Sequence, residues 1–194
     1  MGREFELKYS ATPAQQETIA AAFSDFAVTS METTYYDAPD GGLSARHITL
    51  RCRKENGVSV CTVKTPTAGL GRGEWETEEE TIENAIPVLC KLGAPENIAS
   101  LTAGGIIPVC GARFTRRAVT VTEPDCTLEL ALDRGVLLGG GQEIPLCEVE
   151  VELKSGSEEA AQRYATLLAQ LYGLQPEHRS KFRRALALAK GERL

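Results

Sequence analysis

In Glu4-Phe5-Glu6-Leu7-Lys8-Tyr9 charged and apolar side chains alternate. Alternation of period two is the mark of an extended strand, whose successive side chains point to opposite faces. Glu4, Glu6 and Lys8 therefore share one face, and Phe5, Leu7 and Tyr9 the other. The same rule carried outward finds more such rows. Arg51 and Arg53 lie opposite Leu50 and Cys52. Thr62 and Lys64 share a face, as do Arg72, Glu74, Glu76, Glu78 and Glu80, and as do Glu129 and Asp133. Glu148, Glu150 and Glu152 lie opposite Val149, Val151 and Leu153.

The segments that favour strands are 4–9, 33–37, 48–54, 58–64, 74–81, 114–122, 127–133 and 142–153. Asn56-Gly57 is a hairpin turn signal. Thr12-Pro13-Ala14-Gln15 reads as a capping box with proline at the first helical position, opening a helix to Phe26. Residues 82–92 form a weaker helical region with Pro87 inside it. Ser155 to Glu158 reads as a second capping box, for a helix through Tyr172 closed by Gly173. A last helix is expected from Phe182 to Lys190. The expectation is one α+β domain over residues 1–194, with roughly eight antiparallel strands, helices outside, and an even strand set able to close into a barrel.

Like charges along one strand face repel. A two-faced sheet with its charges in water would also show this alternation. Strict Glu-x-Glu and Arg-x-Arg rows nevertheless call for counterweights, a cation for the glutamates and an anion for the basic groups. If the strands close, both rows face one interior, where bare ions are costly unless hydrated or paired with ligand. A metal-bound polyphosphate meets both needs. Carboxylates hold Mg²⁺ or Mn²⁺, while Arg and Lys clamp phosphate oxygens. The chain has no G-x-x-x-x-G-K-[ST] phosphate loop. Gly69-x-Gly71-x-Gly73 is a weak signal, read as a flexible loop.

These motifs, taken in order, resemble the CYTH superfamily of triphosphate tunnel metalloenzymes. Glu4-Phe5-Glu6-Leu7-Lys8 is similar to its E-x-E-x-K motif. Tyr35-Tyr36-Asp37-Ala38-Pro39, Leu43 and Leu50-Arg51-Cys52-Arg53 resemble its next segment. Thr62-Val63-Lys64, Arg72-Gly73-Glu74, Phe114-Thr115-Arg116, Leu130-Ala131-Leu132-Asp133, Cys147 to Leu153 and Ser180-Lys181 follow as in the family. The resemblance implies an eight-stranded antiparallel tunnel with flanking helices. It implies metal ligation by Glu4 and Glu6 with Glu150 and either Glu148 or Glu152. It implies a triphosphate grip by Lys8, Arg51, Arg53, Lys64, Arg116 and Lys181, with Glu74 and Asp133 in support. The nucleophile it implies is a metal-activated water, and the catalytic set is Glu4, Glu6, Lys8, Glu150 and Lys181. Arg117 stands beside Arg116, and the family pattern after Phe114 selects Arg116 as the inward residue.

Bulk properties bound the alternatives. With 194 residues and net charge −6, the chain lacks the basic footprint of a general nucleic-acid binder. No apolar run reaches the length of a membrane span and the first residues are charged, so the expected location is the cytoplasm. The six cysteines, none in a C-x-x-C pair, read as reduced core thiols. His47 reads as an exposed loop residue, Asp37 as a turn residue, and Trp75 lies off the charged face.

Inorganic triphosphatase is the favoured activity, because Leu130 to Asp133, Glu148 to Leu153 and Ser180-Lys181 most resemble stand-alone bacterial triphosphatases, and no obvious aromatic pocket is added for adenine or thiazolium. Class IV adenylyl cyclase and thiamine or nucleoside triphosphatase share the same motifs. A polyphosphate-binding module without turnover is the non-enzyme alternative. The sequence leaves the oligomeric state open.

Overall fold

The computed structural model describes residues 2–67, 72–95 and 97–192. In chain order the elements are β1 (Gly2–Glu4), β2 (Glu6–Ser10), α1 (Pro13–Ala22), β3 (Ala27–Asp37), β4 (Thr49–Glu55), β5 (Val58–Pro66) and β6 (Arg72–Glu78). There follow α2 (Ile82–Lys91), α3 (Asn97–Thr102), β7 (Ile107–Glu123), β8 (Cys126–Gly139), β9 (Gln142–Gly156), α4 (Glu158–Tyr172), β10 (Gln175–Pro176) and α5 (Lys181–Ala189). Among the described residues no helix is long and apolar enough to cross a membrane. Gly69 and Gly71 lie outside the described residues, and Gly73 sits within β6.

The strands form one sheet in the order β1-β6-β5-β4-β3-β7-β8-β9-β2-β10, and each neighbouring pair is antiparallel. The eight strands expected from sequence become ten for two reasons. The expected strand 4–9 is broken at Phe5, so β1 pairs with β6 whereas β2 pairs with β9. The Phe5 carbonyl still accepts a hydrogen bond from Leu153 N at 2.9 Å. The short β10 then adds to β2. The N-terminal segment thus reaches both flanks of the strand row within a few residues.

Alternation sorts the two faces as the sequence suggests. On one face Val149, Val151, Leu128, Leu130 and Leu132 pack under Ile19 of α1 and Ala161, Ala165 and Leu168 of α4. Farther along it, Leu50, Cys61, Val63 and Trp75 pack under Ile82, Ala85 and Leu89 of α2 and Ile98 of α3. Met31, Phe114, Leu137 and Leu146 meet Ala185 of α5. Each fully buried aliphatic side chain here contributes about 1.5–3 kcal/mol. Helices α1 to α4 cover the apolar face, whereas α5 packs on the charged face, where Met31, Phe114, Leu137 and Leu146 alternate in phase with Thr33, Arg116, Asp133 and Glu148.

Several boundaries move, each for a local reason. Helix α1 starts as read, with Thr12 N donating to Gln15 Oε1 at 2.7 Å and Gln15 N to Thr12 Oγ1 at 3.2 Å. It stops at Ala22 rather than Phe26, because Phe23 turns extended and Asp25 is left-handed, which launches β3 early. The cap of α4 is Ser157, not Ser155. Its hydroxyl accepts from Ala160 N, while Ser155 is still paired in β9. Gly173 closes α4 with φ +64°, a left-handed conformation that glycine adopts without steric cost. Asn56 and Gly57, both at positive φ, make the tight turn between β4 and β5.

Candidate active site

The charged rows face one cavity of about 410 Å³. Eight carboxylates line it: Glu4, Glu6, Glu55, Glu74, Glu76, Glu129, Glu150 and Glu152. Eight cations line it as well: Lys8, Arg51, Arg53, Lys64, Arg72, Arg116, Lys154 and Lys181. Register explains how they converge. Glu6 pairs directly with Glu152, and Glu152 with Glu129, so three strands place carboxylates side by side. Lys8 pairs with Glu150, Lys64 with Glu74, and Arg116 with Asp133. The first row sets like charges side by side and is offset from outside the row, by Lys8 on Glu6 and Lys154 on Glu152 and Glu129, whereas the others compensate within the pair.

The acids of the second acidic strand separate into two sets. Glu4, Glu6 and Glu152 each present a carboxylate oxygen within 4.8 Å of the others, and all three are partly exposed to the cavity. Asp133, Glu148 and Glu150 form an equally tight but buried group. There the Lys181 ammonium, brought in at the start of α5, lies 2.8 Å from Asp133, 2.6 Å from Glu148 and 2.6 Å from Glu150. Arg116 donates to both Asp133 oxygens at 2.8 Å and also to Glu150, and Arg184 donates to Glu148. An ammonium already centred on three carboxylates makes the buried group a poor fit for a cation. The Glu4–Glu6–Glu152 group, with oxygen donors alone, fits a hard divalent cation.

Titration follows these contacts. Burial works against charge on Glu150, but Lys181, then Arg116 and Lys8, hold its carboxyl well below the usual range. Burial, with Glu150 alongside, pushes Glu148 up against the pull of Lys181 and Arg184. Burial likewise raises Glu152, with Glu129 and Glu4 adding to it and Lys154 opposing. For Lys181 burial is outweighed by Asp133, Glu150 and Glu148, so its ammonium persists well above the ordinary lysine range.

On the opposite wall Lys64 bonds Glu4 and lies 3.1 Å from Glu74, which in turn is 3.9 Å from Arg51. Lys8 reaches Glu6 at 3.0 Å. Arg53 bonds Glu55, and burial with Arg51 and Arg116 nearby lowers its guanidinium pKa. Arg116 points inward and Arg117 outward, the latter to Glu17 at 3.1 Å. Asp37 serves its turn, accepting from the backbone amides of Ala38, Leu43 and Ser44. His47 is exposed, and Trp75 is buried on the apolar side.

Other site residues are absent from the motif reading. Arg184 lies one turn beyond Lys181, on the same helix face, and that spacing is the signal that finds it. Lys154 lies two residues past Glu152 and pairs with it at 2.9 Å. Gln16 is fully buried on α1, and its amide donates to the carbonyls of Asp133 at 2.9 Å and Glu148 at 2.7 Å. A lone glutamine on a helix carries no sequence pattern that marks such a clamp.

The chain is similar to an inorganic triphosphatase of Haemophilus influenzae, with 29% identity over 166 residues, 81% of this chain and 47% of that protein. It thus spans about half the length of that relative. Solved structures share the fold. A proposed adenylyl cyclase of Hippeastrum with a dominant triphosphatase activity superposes with TM-score 0.66 at 19% identity, covering 100% of this chain and 98% of that one. A Pyrococcus horikoshii protein gives TM-score 0.63 at 21% identity, with 95% and 99% covered. A proposed adenylate cyclase of Vibrio parahaemolyticus gives 0.59 at 22%, with 92% and 94% covered. The CYTH domain family matches residues 2–186, and the chain belongs to that family.

Proposed function

We propose that this chain hydrolyses inorganic triphosphate to diphosphate and phosphate with the help of a divalent cation. The observation that carries this reading is the charge balance of the cavity, eight carboxylates against eight cations. A bare anion or a bare cation entering such a space would upset that balance in a low-dielectric setting. A divalent cation and a polyphosphate entering together bring opposite charges, each aimed at the row that needs it. The fold supports the same reading, because β1 on β6 and β2 on β9 join the two flanks of the sheet, and we infer that this join makes the cavity a tunnel.

Glu4, Glu6 and Glu152 would hold Mg²⁺ or Mn²⁺. A cation there supplies charge neutralisation and a more acidic bound water. The chain's own residues do the rest. Arg51, Arg53, Lys64 and Lys8 grip phosphoryl oxygens, the arginines in bidentate fashion. Lys181 and Arg116, locked by Asp133, Glu148 and Glu150, present fixed positive charge without reorganisation during reaction. Glu74 orients Lys64 and Arg51. We place Glu148 and Glu150 as anchors of Lys181 and Arg116 rather than as primary metal ligands. The inorganic substrate is favoured over a nucleotide because the cavity's aromatic residues Tyr35, Phe114 and Phe182 are buried and offer no open face to a base.

Initial rates on tripolyphosphate, ATP and thiamine triphosphate, with the ATP reaction checked for cyclic AMP, test this reading. The expected result is phosphate release from tripolyphosphate far above the others. Cyclic AMP as the main product would replace hydrolysis with cyclisation. Binding of polyphosphate without turnover of any substrate would make the chain a binding module.

A further inference from the structure

Cys52 and Cys61 stand directly opposite each other across β4 and β5. Asn56 and Gly57, both at positive φ, close this hairpin with a two-residue turn, so Glu55 and Val58 form its first hydrogen-bonded pair. Bonded and non-bonded pairs alternate along an antiparallel ladder. Counted outward from Glu55 and Val58, Cys52 and Cys61 form a non-bonded pair. Opposite residues in such a pair hold their Cα atoms about 4.5 Å apart, with side chains close. That spacing lies inside the range of about 4.4–6.8 Å over which a disulfide closes. Both side chains leave the sheet on its apolar side, under α2. There the two thiols lie in hydrogen-bond contact. The other cysteines are placed differently. Cys110, Cys126 and Cys147 stand opposite Tyr35, Glu123 and Arg134 in the ladders, and Cys90 lies on α2.

The two thiols differ in reach. Cys61 is 0% exposed, and burial, then the contact with Cys52, pushes its thiol up. Cys52 is only partly buried, so a small reagent from solvent meets it first. The pair also borders the charged cavity through the sheet. Arg51 and Arg53 flank Cys52 and line the cavity on the opposite face, and Arg51 pairs with Thr62, next to Cys61. Arg51 lies 3.9 Å from Glu74, and its buried Nε has no hydrogen-bond partner among the described residues. Where Arg51 points is therefore set more by β4 than by its own bonds.

We propose that Cys52 and Cys61 are an oxidation site that hydrogen peroxide closes to a reversible disulfide, which loosens the triphosphate grip of Arg51 and Arg53 through β4. The Cys52 thiolate attacks one peroxide oxygen. The O–O bond breaks, the sulfur becomes a sulfenic acid, and the departing hydroxide takes up the thiol's proton as water. The Cys61 sulfur then attacks the Cys52 sulfur. The S–S bond forms, the S–O bond breaks, and the hydroxyl leaves with the Cys61 proton as a second water. Two thiols lose two electrons in all, and one peroxide becomes two waters. Burial of Cys61 slows the second step, and its fixed place beside Cys52 offsets this. A dithiol reopens the bond by exchange. The non-bonded spacing is at the short end of the disulfide range, so closure presses on the pairing of β4 with β5. The effect on the grip rests on the triphosphatase reading, whereas formation of the bond does not.

Wild type, Cys52→Ser and Cys90→Ser are treated with hydrogen peroxide while folded, alkylated, digested without reduction and mapped by mass spectrometry. Wild type and Cys90→Ser are expected to give a Cys52–Cys61 link that dithiothreitol removes, and Cys52→Ser none. Absence of that link in wild type, Cys52 carried on to sulfinic acid instead, or a link from either thiol to Cys90 would overturn the site. Kinetics on tripolyphosphate read the coupling. Oxidised wild type is expected to show a KM raised about threefold, the scale of one weakened hydrogen bond, and restored by dithiothreitol. Cys52→Ser is expected to keep its KM through the same treatment. An unchanged KM in protein shown to carry the link would overturn the effect on the grip. If untreated wild type does not turn over tripolyphosphate at all, the triphosphatase reading fails separately. Calorimetric affinity for tripolyphosphate with Mg²⁺ then decides the coupling, which is overturned if reduced and oxidised protein bind alike.

Discussion

Replacing Lys181 by methionine removes one ammonium from among three buried carboxylates and keeps most of the side-chain volume. In the native chain its nitrogen lies within 2.8 Å of Asp133, Glu148 and Glu150, and the Asp133 and Glu148 side chains are 0% exposed. Breaking a buried ion pair by removing one partner costs about 3–5 kcal/mol, because the stranded charge stays buried. Arg116 and Arg184 remain to compensate, so the lower end, about 3 kcal/mol, is expected, equivalent to about 6–12 °C in Tm for a chain of this size. The loss should depend on pH. Glu150's depressed pKa gives stability that is present above its unfolded value and lost only as pH falls through the lower folded value. Lys181's raised pKa gives stability that is present below its unfolded value and lost only as pH rises through the higher folded one. The Lys181–Glu150 contribution of wild type therefore holds from mildly acidic to mildly alkaline pH, while Glu148, raised by burial, takes up its proton at higher pH than Glu150. In the variant, burial and mutual repulsion act without the ammonium, so the carboxylates take up protons as pH falls from neutral. The gap between the two proteins should narrow on acidification. Urea and thermal unfolding at about pH 7.5 and about pH 5 measure it. A loss below about 1 kcal/mol at the higher pH, or a gap that widens on acidification, would refute the reasoning.

Three further predictions concern separate parts of the site. Glu152→Gln should raise the Mg²⁺ concentration for half-maximal rate by about tenfold or more, and Glu148→Gln by much less. Because Glu152's pKa is raised, the wild-type Mg²⁺ requirement should climb as pH falls, starting above the ordinary carboxylate range; Mg²⁺ titrations of the rate across pH would show it. Lys64→Ala should raise the KM for tripolyphosphate while leaving the Mg²⁺ requirement nearly unchanged, and an unchanged KM would remove its clamp role. Gln16→Met should lower stability by about 1–3 kcal/mol, since the carbonyls of Asp133 and Glu148 lose a buried donor, as read from the urea midpoint.

The sequence made the site legible wherever chemistry followed the strand period. Glu4, Glu6, Lys8, Arg51, Arg53, Lys64 and Arg116 all face the cavity because alternation alone places them there. It could not separate Glu148, Glu150 and Glu152, which share a face, since their fates depend on where α5 brings Lys181 and Arg184 in from the far end of the chain. Phe5 illustrates a second limit. Its residues read as one strand, yet their two halves pair with β6 and β9, a choice made by long-range register that no local pattern encodes. Ser155 and Ser157 both suit a cap, and the length of the β8–β9 ladder decides between them.

The most direct test of the central claim, that the interior takes a divalent cation and a triphosphate together, is phosphate release from tripolyphosphate as a function of Mg²⁺. The account predicts no turnover in excess chelator and a rate that rises to saturation with Mg²⁺, yielding equal amounts of phosphate and diphosphate. Turnover that is indifferent to the chelator, or none at any Mg²⁺ or Mn²⁺ concentration, would contradict it.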